Sequence, residues 1–233
     1  DLETGEENWV FQALENDMWN FACSANGPNC IILADTNSVD FDFGGPAILV
    51  ESDGRELLVA GQKSGDLWAL DPATGAVVWN QRVGEGTALG GNHWGIATDS
   101  ERAFMTINDP ENILENGQAG LYSFFLGSGE PSWSYKVSPE CNDQRSRRLR
   151  RCESLFGFSA TPLSVDGAVI TAGLDGRLFV FDSQTGEVIF KYDTVQDYDT
   201  VNGVEGDGGS IESHSIAAGW GMVFVGWGYG SFR

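Results

Sequence analysis

Apolar and polar residues alternate in several short segments of the chain. The alternation is clearest in three of them, from Leu57 to Leu70, from Gly120 to Leu126 and from Val169 to Phe181. Alternation over four to eight residues predicts half-buried β-strands, because successive side chains of a strand point to opposite faces. Glycine-rich turns separate the segments, and the chain holds 31 Gly, 14 Phe and 8 Trp. This pattern predicts an all-β protein.

A polar turn unit recurs along the chain. Each copy has a Thr-Gly or Ser-Gly pair followed by an aromatic residue four positions after the Gly. The copies run from Asp1 to Trp9, Asp71 to Trp79, Phe125 to Trp133 and Asp182 to Phe190. In such a turn the Gly supplies a positive φ, and the Asp and Thr side chains bond the local backbone. Strands, turn and returning aromatic strand together predict one blade of a β-propeller, built as a four-stranded antiparallel meander.

The blocks around these repeats resemble a known family. The segment ALDPATGAVVW (Ala69 to Trp79) resembles the tryptophan-docking motif of pyrroloquinoline-quinone (PQQ) propellers. Four longer blocks resemble polyvinyl-alcohol dehydrogenase-like quinoproteins in order along the chain: Asp40 to Val50, Leu57 to Trp79, Gly86 to Asp99 and Thr200 to Ile211. The resemblance implies a quinoprotein alcohol dehydrogenase-like propeller, with an eight-bladed ring of roughly twice this length.

The frame of the repeats suggests how much of that ring is present. The chain starts at the turn before the last strand of one blade, and ends in another blade after Gly219 to Gly230. It therefore holds about four blade equivalents. We expect residues 1–233 to be a single, partial propeller domain of a longer protein. A closed four-bladed ring is the alternative, with the strand of Trp9 completing the last sheet.

The charge balance limits the partners. The chain has 13 basic and 34 acidic residues, a net charge of −21. Such a chain repels nucleic acid and anionic membranes, so we expect neither as a partner. No apolar run reaches about 18 residues, so no membrane span is predicted. No basic and apolar leader is present, so we expect any targeting peptide to be absent already.

The four cysteines fall into two local pairs, Cys23 with Cys30 and Cys141 with Cys152. Neither CxxC nor CxxCH occurs, which argues against a zinc knuckle and an attached c-type haem. The pairs predict two disulfides in an oxidising compartment, hence a periplasmic or secreted protein. Four buried free thiols are the alternative.

Two carboxylates in the segment VDFDFGG are candidate catalytic groups. Asp40 and Asp42 would point to the same face of a strand. A carboxylate in a propeller channel can accept the proton of an alcohol as hydride leaves its carbon. The family resemblance implies that Asp40 matches the catalytic Asp of a WDYD segment, although Val39 stands here in place of the Trp. Solvated carboxylates at the entry to a strand are the alternative.

The resemblance also implies a cofactor site. Lys63 matches a family Lys or Arg that reaches the quinone oxygens, where positive charge stabilises the reduced, anionic quinone. Trp94 could stack under a planar cofactor. His93 could bond a carboxylate of the cofactor or cap the turn. The alternatives are an exposed turn lysine and a structural tryptophan of a blade.

Two places offer oxygen ligands for Ca²⁺. Asn108 or Asp109 could hold an ion that polarises the quinone carbonyl as a Lewis acid. Asp197 and Asp199 belong to an acidic, glycine-rich run in which carboxylates and amides cluster, a composition that suits Ca²⁺. An acidic surface loop is the alternative for this run.

The segment CNDQRSRRLRRC (141–152) is predicted to be an inserted loop rich in arginine. It carries Arg145, Arg147, Arg148, Arg150 and Arg151. On a chain of net charge −21, such a loop suits an acidic protein partner or a second acidic copy of this chain. A solvated insertion between blades is the alternative.

Two functions follow from these features. The first is a PQQ- and Ca-dependent alcohol dehydrogenase acting on a small or polymeric hydroxylated substrate, with Asp40 as base, Lys63 and Ca²⁺ as electrophiles, and Trp94 beneath the quinone. Its electrons would pass to a separate cytochrome, since the chain has no haem motif. The second is a propeller without a cofactor, acting as a scaffold or interaction protein in a larger assembly.

Overall fold

Strands make up almost all regular structure in the computed structural model, which describes residues 1–15, 17, 19–25, 29–30, 39–109 and 115–228. The helices are a 3-10 turn (Phe21–Ala25) and α1 (Asp143–Arg148). The strands are β1 (Ile48–Ser52), β2 (Arg55–Gly61), β3 (Asp66–Leu70), β4 (Val77–Arg82), β5 (Ile96–Thr98), β6 (Arg102–Ile107), β7 (Gly120–Phe125), β8 (Pro131–Lys136), β9 (Leu163–Val165), β10 (Ala168–Ala172), β11 (Arg177–Asp182), β12 (Val188–Asp193), β13 (Asp197–Asp199), β14 (Glu205–Asp207), β15 (Ile216–Gly219) and β16 (Met222–Val225). No helix within these ranges has the length and apolarity of a membrane crossing.

The strands form sequential antiparallel sheets. Three sheets have four strands each, in the orders β1 to β4, β5 to β8 and β9 to β12. Two hairpins follow, β13–β14 and β15–β16. The first strands contact one another in turn, β1 with β5, β5 with β9 and β9 with β15, so they are the innermost strands of the blades. The predicted all-β propeller of four-stranded blades is confirmed.

An antiparallel meander places its connections alternately at the two ends of each sheet. The β1–β2 and β3–β4 turns lie at one end of the first blade. The β2–β3 turn (62–65) and the segments that lead into the innermost strands lie at the other end. We call this second end, with residues 40–47, 62–65 and 83–95, the upper face, and the opposite end the lower face. Most of the candidate site residues therefore lie at the upper face.

The recurring turn unit forms the β3–β4 connection. Oδ1 of Asp71 accepts hydrogen bonds from the backbone N–H groups of Ala73 and Thr74, both at 3.0 Å, and from the Thr74 hydroxyl at 2.9 Å. Gly75 then turns the chain with φ +72°. Asp1 and Asp182 make the same three bonds in their own turns. The predicted turn chemistry is thus present three times.

Each tryptophan of the repeat docks on the turn of the next blade. The indole N–H groups donate to backbone carbonyls at 2.8–3.0 Å, and the rings cover the turn glycines: Trp9 on Pro72 and Gly75, Trp79 on Leu126 and Gly129, Trp133 on Ser183 and Gly186. A Cβ at Gly129 would lie 2.6 Å from the ring of Trp79. A side chain at this position would therefore displace the indole.

The described blades form an open arc. In the part of the chain that the structure describes, no atom lies within 4 Å of the Cβ position at Gly5, and no aromatic ring covers that turn. Phe190, which takes the place of the docking tryptophan in the last unit, is 52% exposed. A closed four-bladed ring would place Phe190 over Gly5. The described residues show no such contact, which favours the partial propeller, and the extent of the ring stays a prediction.

Apolar side chains fill the space between neighbouring blades. Large buried residues include Phe104, Phe179 and Phe181, each no more than 1% exposed. The three interblade clusters include Leu57, Val59, Met105 and Phe124; then Phe104, Leu121, Phe179 and Phe181; then Ile170, Ala172, Ile211 and Ile216. This packing holds each blade against the next and fixes the loops of the upper face.

Candidate functional site

Three of the predicted site residues meet at the upper face. Nζ of Lys63 donates to both carboxylate oxygens of Asp40 at 3.1 Å and lies 2.9 Å from Oδ1 of Asp42. The side chains of Lys63 and Asp40 are 10% and 12% exposed, whereas that of Asp42 is 61% exposed. Asp40 is therefore the enclosed carboxylate of the cluster, and Asp42 faces solvent.

The backbone of this segment differs from the sequence expectation. We predicted a strand that would place Asp40 and Asp42 on one face, but residues 39–47, all of them described, form no strand, and β1 begins at Ile48. The segment instead bonds the β2–β3 turn: the backbone N–H of Lys63 donates to the Asp42 carbonyl at 3.1 Å. Both carboxylates reach Lys63 because this turn, and not a sheet ladder, positions them.

The two carboxylates keep Lys63 charged. Burial alone would lower the pKa of its ammonium, since desolvation disfavours the charged form. Hydrogen bonds and charge from Asp42 and Asp40 outweigh burial, and the net effect raises the pKa of Lys63. The ammonium of Lys63 therefore stays protonated at neutral pH, between the carboxyl groups of Asp40 and Asp42.

His93 and Trp94 lie beside this cluster. Their rings stack with centroids 4.6 Å apart and planes at 30°. Burial, and then the positive charge of Lys63, lower the pKa of His93 to about 4, against an opposing contribution from Asp42. Nδ1 of His93 and Nε1 of Trp94 are both buried and have no hydrogen-bond partner among the described residues. His93 is thus neutral at neutral pH, and two ring nitrogens lack a partner.

Paired glycines allow these segments to pack closely. A Cβ at Gly44 would lie 2.0 Å from the carbonyl oxygen of His93, and one at Gly45 would lie 2.5 Å from Cα of Gly95. Asn92 is fully buried, and its Nδ2 donates to the carbonyls of Gly95 and Thr106. We did not single out Gly44, Gly45 or Asn92 from the sequence. The adjacent glycines of DFGG and GGNHWG were the available signal.

The segments that precede the innermost strands β5, β9 and β15 are hydrogen-bonded to one another. The Thr161 hydroxyl donates to the Trp94 carbonyl at 3.0 Å, and its backbone N–H donates to the Ser213 carbonyl at 2.9 Å. Trp94 also lines a concavity of about 490 Å³ together with Ser210, Glu212, Ser213, Ser215, Gly226, Trp227 and Gly228. Lys63 and Asp40 do not line this concavity, whereas Trp94 does.

The predicted calcium ligands have other partners. The Asp109 carboxylate accepts backbone N–H groups from Glu85 at 3.0 Å, Gly86 at 3.1 Å and Gly91. Nδ2 of Asn108 donates to the Leu89 carbonyl at 2.7 Å. Both side chains are almost fully buried and brace the loop 85–91. These contacts give Asp109 a structural role, and calcium binding by Asn108 or Asp109 stays a prediction.

Asp197 and Asp199 lie on β13, away from Asp109. Asp197 bonds Arg148 at 2.8 Å, and this hydrogen bond, followed by the arginine charge, lowers the pKa of its carboxyl. In the part of the chain that the structure describes, no three His, Cys, Asp or Glu side chains form a group able to hold a metal ion. The four predicted ligands are therefore not assembled into one site.

The arginine-rich insert is partly helical and tied to its own blade. A disulfide joins Cys141 and Cys152, and another joins Cys23 and Cys30, as predicted. Arg145 on α1 is buried, lies 3.3 Å from Asp175 and also pairs with Asp193. The acidic partner of Arg145 and Arg148 is therefore this chain itself, which corrects the expectation that all five arginines await another protein.

Comparison with known proteins agrees with the propeller fold. A family model described as "Outer membrane protein assembly factor BamB" matches residues 1–217. The chain belongs to this family of PQQ-like propeller proteins.

Curated relatives of this family member include two dehydrogenases. It is 30% identical over 233 residues to the polyvinylalcohol dehydrogenase of Sphingopyxis sp. (strain 113P3), and 30% identical over 237 residues to that of Pseudomonas sp.. Each match covers 98% of this chain and 35% of the relative. The chain thus spans about a third of the length of these relatives.

Solved structures with a similar fold were also found. BamB from Moraxella catarrhalis is 20% identical and matches 68% of this chain and 38% of its own, with a TM-score of 0.44. A quinohemoprotein alcohol dehydrogenase from Pseudomonas putida is 18% identical and matches 68% of this chain and 22% of its own, with a TM-score of 0.47.

Proposed function

We propose that this chain is part of a PQQ-dependent alcohol dehydrogenase and carries its base and part of its cofactor site. The observation that carries the proposal is the enclosed Asp40–Lys63 pair beside His93 and Trp94. The two polyvinylalcohol dehydrogenases, which match nearly the whole chain, support the same activity. We propose a small or polymeric alcohol as the substrate.

The residues present suit a planar, anionic quinone. Lys63 supplies an enclosed positive charge, and Trp94 supplies an aromatic face. The unpartnered Nε1–H of Trp94 and the ring nitrogen of His93 supply hydrogen-bonding groups that the described protein leaves unused. A buried polar atom without a partner is costly, so a bound group that pairs with these atoms would be stabilising.

Each residue then has a role in alcohol oxidation. Bound PQQ would supply the acceptor for the hydride that leaves the carbon carrying the hydroxyl. The Asp40 carboxylate accepts the hydroxyl proton, so that the alcohol becomes a carbonyl. Lys63 holds Asp40 in place through both carboxylate oxygens and favours negative charge nearby. His93, which is neutral at neutral pH, can donate or accept a hydrogen bond without adding charge.

The setting of the enzyme is part of the same proposal. Two disulfides suit a periplasmic or secreted location. A separate cytochrome would take the electrons. Calcium stays a prediction, and because no ligand set is assembled among the described residues, we assign it no residue here.

A scaffold without catalysis is the second candidate. It is favoured by the family description as an assembly factor and by the charge of Lys63, which Asp40 and Asp42 already neutralise. In that case the Asp40–Lys63 pair would only join two loops of the upper face. Cofactor binding and turnover distinguish the two candidates.

The test uses the intact, full-length protein. We would titrate it with PQQ, follow the quenching of tryptophan fluorescence, and then measure dye-linked oxidation of polyvinyl alcohol and of a small secondary alcohol. The Asp40→Asn variant should bind PQQ like the wild type, but its kcat should fall by about 100-fold or more, since general-base catalysis contributes on this scale. Lys63→Met should weaken PQQ binding.

Asp42→Asn is the matched control, because it removes a carboxylate that faces solvent from the same lysine. It should keep most of the turnover. Absence of PQQ binding to the wild-type protein would refute the enzyme and leave the scaffold. Equal activity of Asp40→Asn and wild type would refute the role of Asp40 alone.

A further inference from the structure

The arginine insert presents unpaired positive charge at a fixed place. Within the described residues, the basic side chains without a salt bridge are Lys136, Arg147, Arg150 and Arg151. Three of these lie in the insert, and all three are exposed. A chain with 34 acidic residues has many carboxylates to offer, yet these arginines form no salt bridge with any that the structure describes.

A disulfide, a buried apolar cluster and ion pairs hold the insert in place. Its disulfide closes a loop with a sequence separation of 11. Leu149 and Cys152 of the insert form a small buried cluster with Val195. Arg145 donates to the Asp175 carbonyl and pairs with the carboxylates of Asp175 and Asp193. These contacts anchor the backbone of the insert, so binding has to order mainly the side chains of its outer arginines.

The backbone at Arg151 supports a role for its side chain. Arg151 has φ +58°, a left-handed conformation that glycine adopts at no steric cost. Its carbonyl accepts the N–H groups of Ser154 and Leu155, which fixes this conformation. The chain thus keeps a long cationic side chain where a glycine would be less strained.

We propose that Arg147, Arg150 and Arg151 form a docking patch for a carboxylate cluster on a separate protein. The three Cα atoms lie within five sequence positions, at most about 14 Å apart. Arginine forks bind carboxylates in a bidentate manner. At physiological salt the Debye length is about 8 Å, so a partner touching this patch is largely screened from the distant negative charge.

The overall charge argues against other polyanions. A net charge of −21 opposes the approach of an extended nucleic acid or an anionic membrane, which would meet much more of the surface than the patch. A compact cluster of carboxylates contacts only the insert. This inference concerns a protein partner and does not depend on the chemistry proposed for the upper face.

The test measures binding of a fluorescent peptide of about eight glutamates to the full-length protein by anisotropy, at low and physiological salt. The triple variant Arg147→Gln, Arg150→Gln, Arg151→Gln should bind at least about tenfold more weakly than wild type. The matched control is Arg55→Gln, Arg82→Gln, Lys136→Gln, which removes the same charge elsewhere on the surface and should change the Kd less than about twofold.

Several results would overturn the proposal. Equal losses in the two triple variants would show that only net charge matters. Tighter binding of a heparin fragment or of phosphatidylglycerol vesicles than of the peptide would replace the protein partner with another polyanion. Self-association of the wild type that the patch variant abolishes would make a second copy the occupant. Equal urea midpoints of both variants serve to exclude unfolding as the cause of a loss.

Discussion

The histidine beside Lys63 makes the stability of the fold depend on pH. The pKa of His93 is lowered to about 4 in the folded protein, from 6.5 for a free histidine. Between these two values the unfolded chain binds a proton that the folded chain does not bind. The free energy of unfolding therefore falls as the pH drops from 6.5 towards 4, and is fully retained above 6.5.

The size of this effect follows from the two pKa values. Each pKa unit corresponds to about 1.4 kcal/mol, so His93 accounts for at most about 3 kcal/mol of stability lost across this range. Because its side chain is partly exposed, the measured loss should be somewhat smaller. His93→Gln, which cannot take up the proton, should lack this loss.

The assay is equilibrium urea unfolding with intact disulfides, at several pH values between about 7.5 and 4. Carboxylates also titrate there, but they contribute equally to wild type and variant and cancel in the difference. His214→Gln is the control, since His214 is exposed. A stability difference between His93→Gln and wild type that stays constant with pH would falsify the assigned environment of His93.

Other predictions concern the framework of the site. Gly129→Ala should lower the free energy of unfolding by about 2–4 kcal/mol, because the new Cβ would meet the docked indole of Trp79. Gly5→Ala should lower it by only about 1 kcal/mol, the cost of a positive φ for alanine. Thermal unfolding compares the two variants, and equal losses would contradict tryptophan docking. Arg145→Met should cost about 1.5–3 kcal/mol, because buried Asp175 then keeps only Arg177 of its two arginine partners. Arg148→Gln should cost much less, because the pair of Arg148 with Asp197 is exposed to solvent. Reduction of the disulfide that closes the insert should lower the unfolding temperature without altering alcohol oxidation, and a loss of turnover on reduction would contradict the separation of insert and site.

Local patterns predicted the blades well. The alternating segments became β2–β3, β7 and β10–β11, because one face of each packs into an interblade core. The third turn unit forms even though Phe125 replaces the Asp: Gly129 still closes the turn by donating its N–H to the Phe125 carbonyl at 2.7 Å. A turn with Gly at the required φ tolerates the loss of side-chain bonds.

Contacts between distant residues could not be predicted in this way. Arg145 is buried because it meets Asp175 and Asp193, which are 30 and 48 residues further along the chain. From the sequence alone, Arg145 could not be distinguished from the other four arginines of the insert. The carboxylate of Asp109 was likewise a plausible ligand until the fold brought three backbone N–H groups to it. The family resemblance implied Asp40 and Lys63 as separate site residues, and the contact between them came only from the structure.

Tryptophan docking also gives the arc a direction. Each indole reaches forward along the sequence to the next blade and never back, so a blade is braced by its predecessor through one ring and one hydrogen bond. Such nearest-neighbour coupling makes the fold behave like a row of linked units whose unfolding spreads from a weak member. The hairpin β15–β16, with Met222, Val223 and Phe224 exposed, should exchange its amide protons fastest. The β5–β8 blade, which lies between two four-stranded blades, should exchange them slowest.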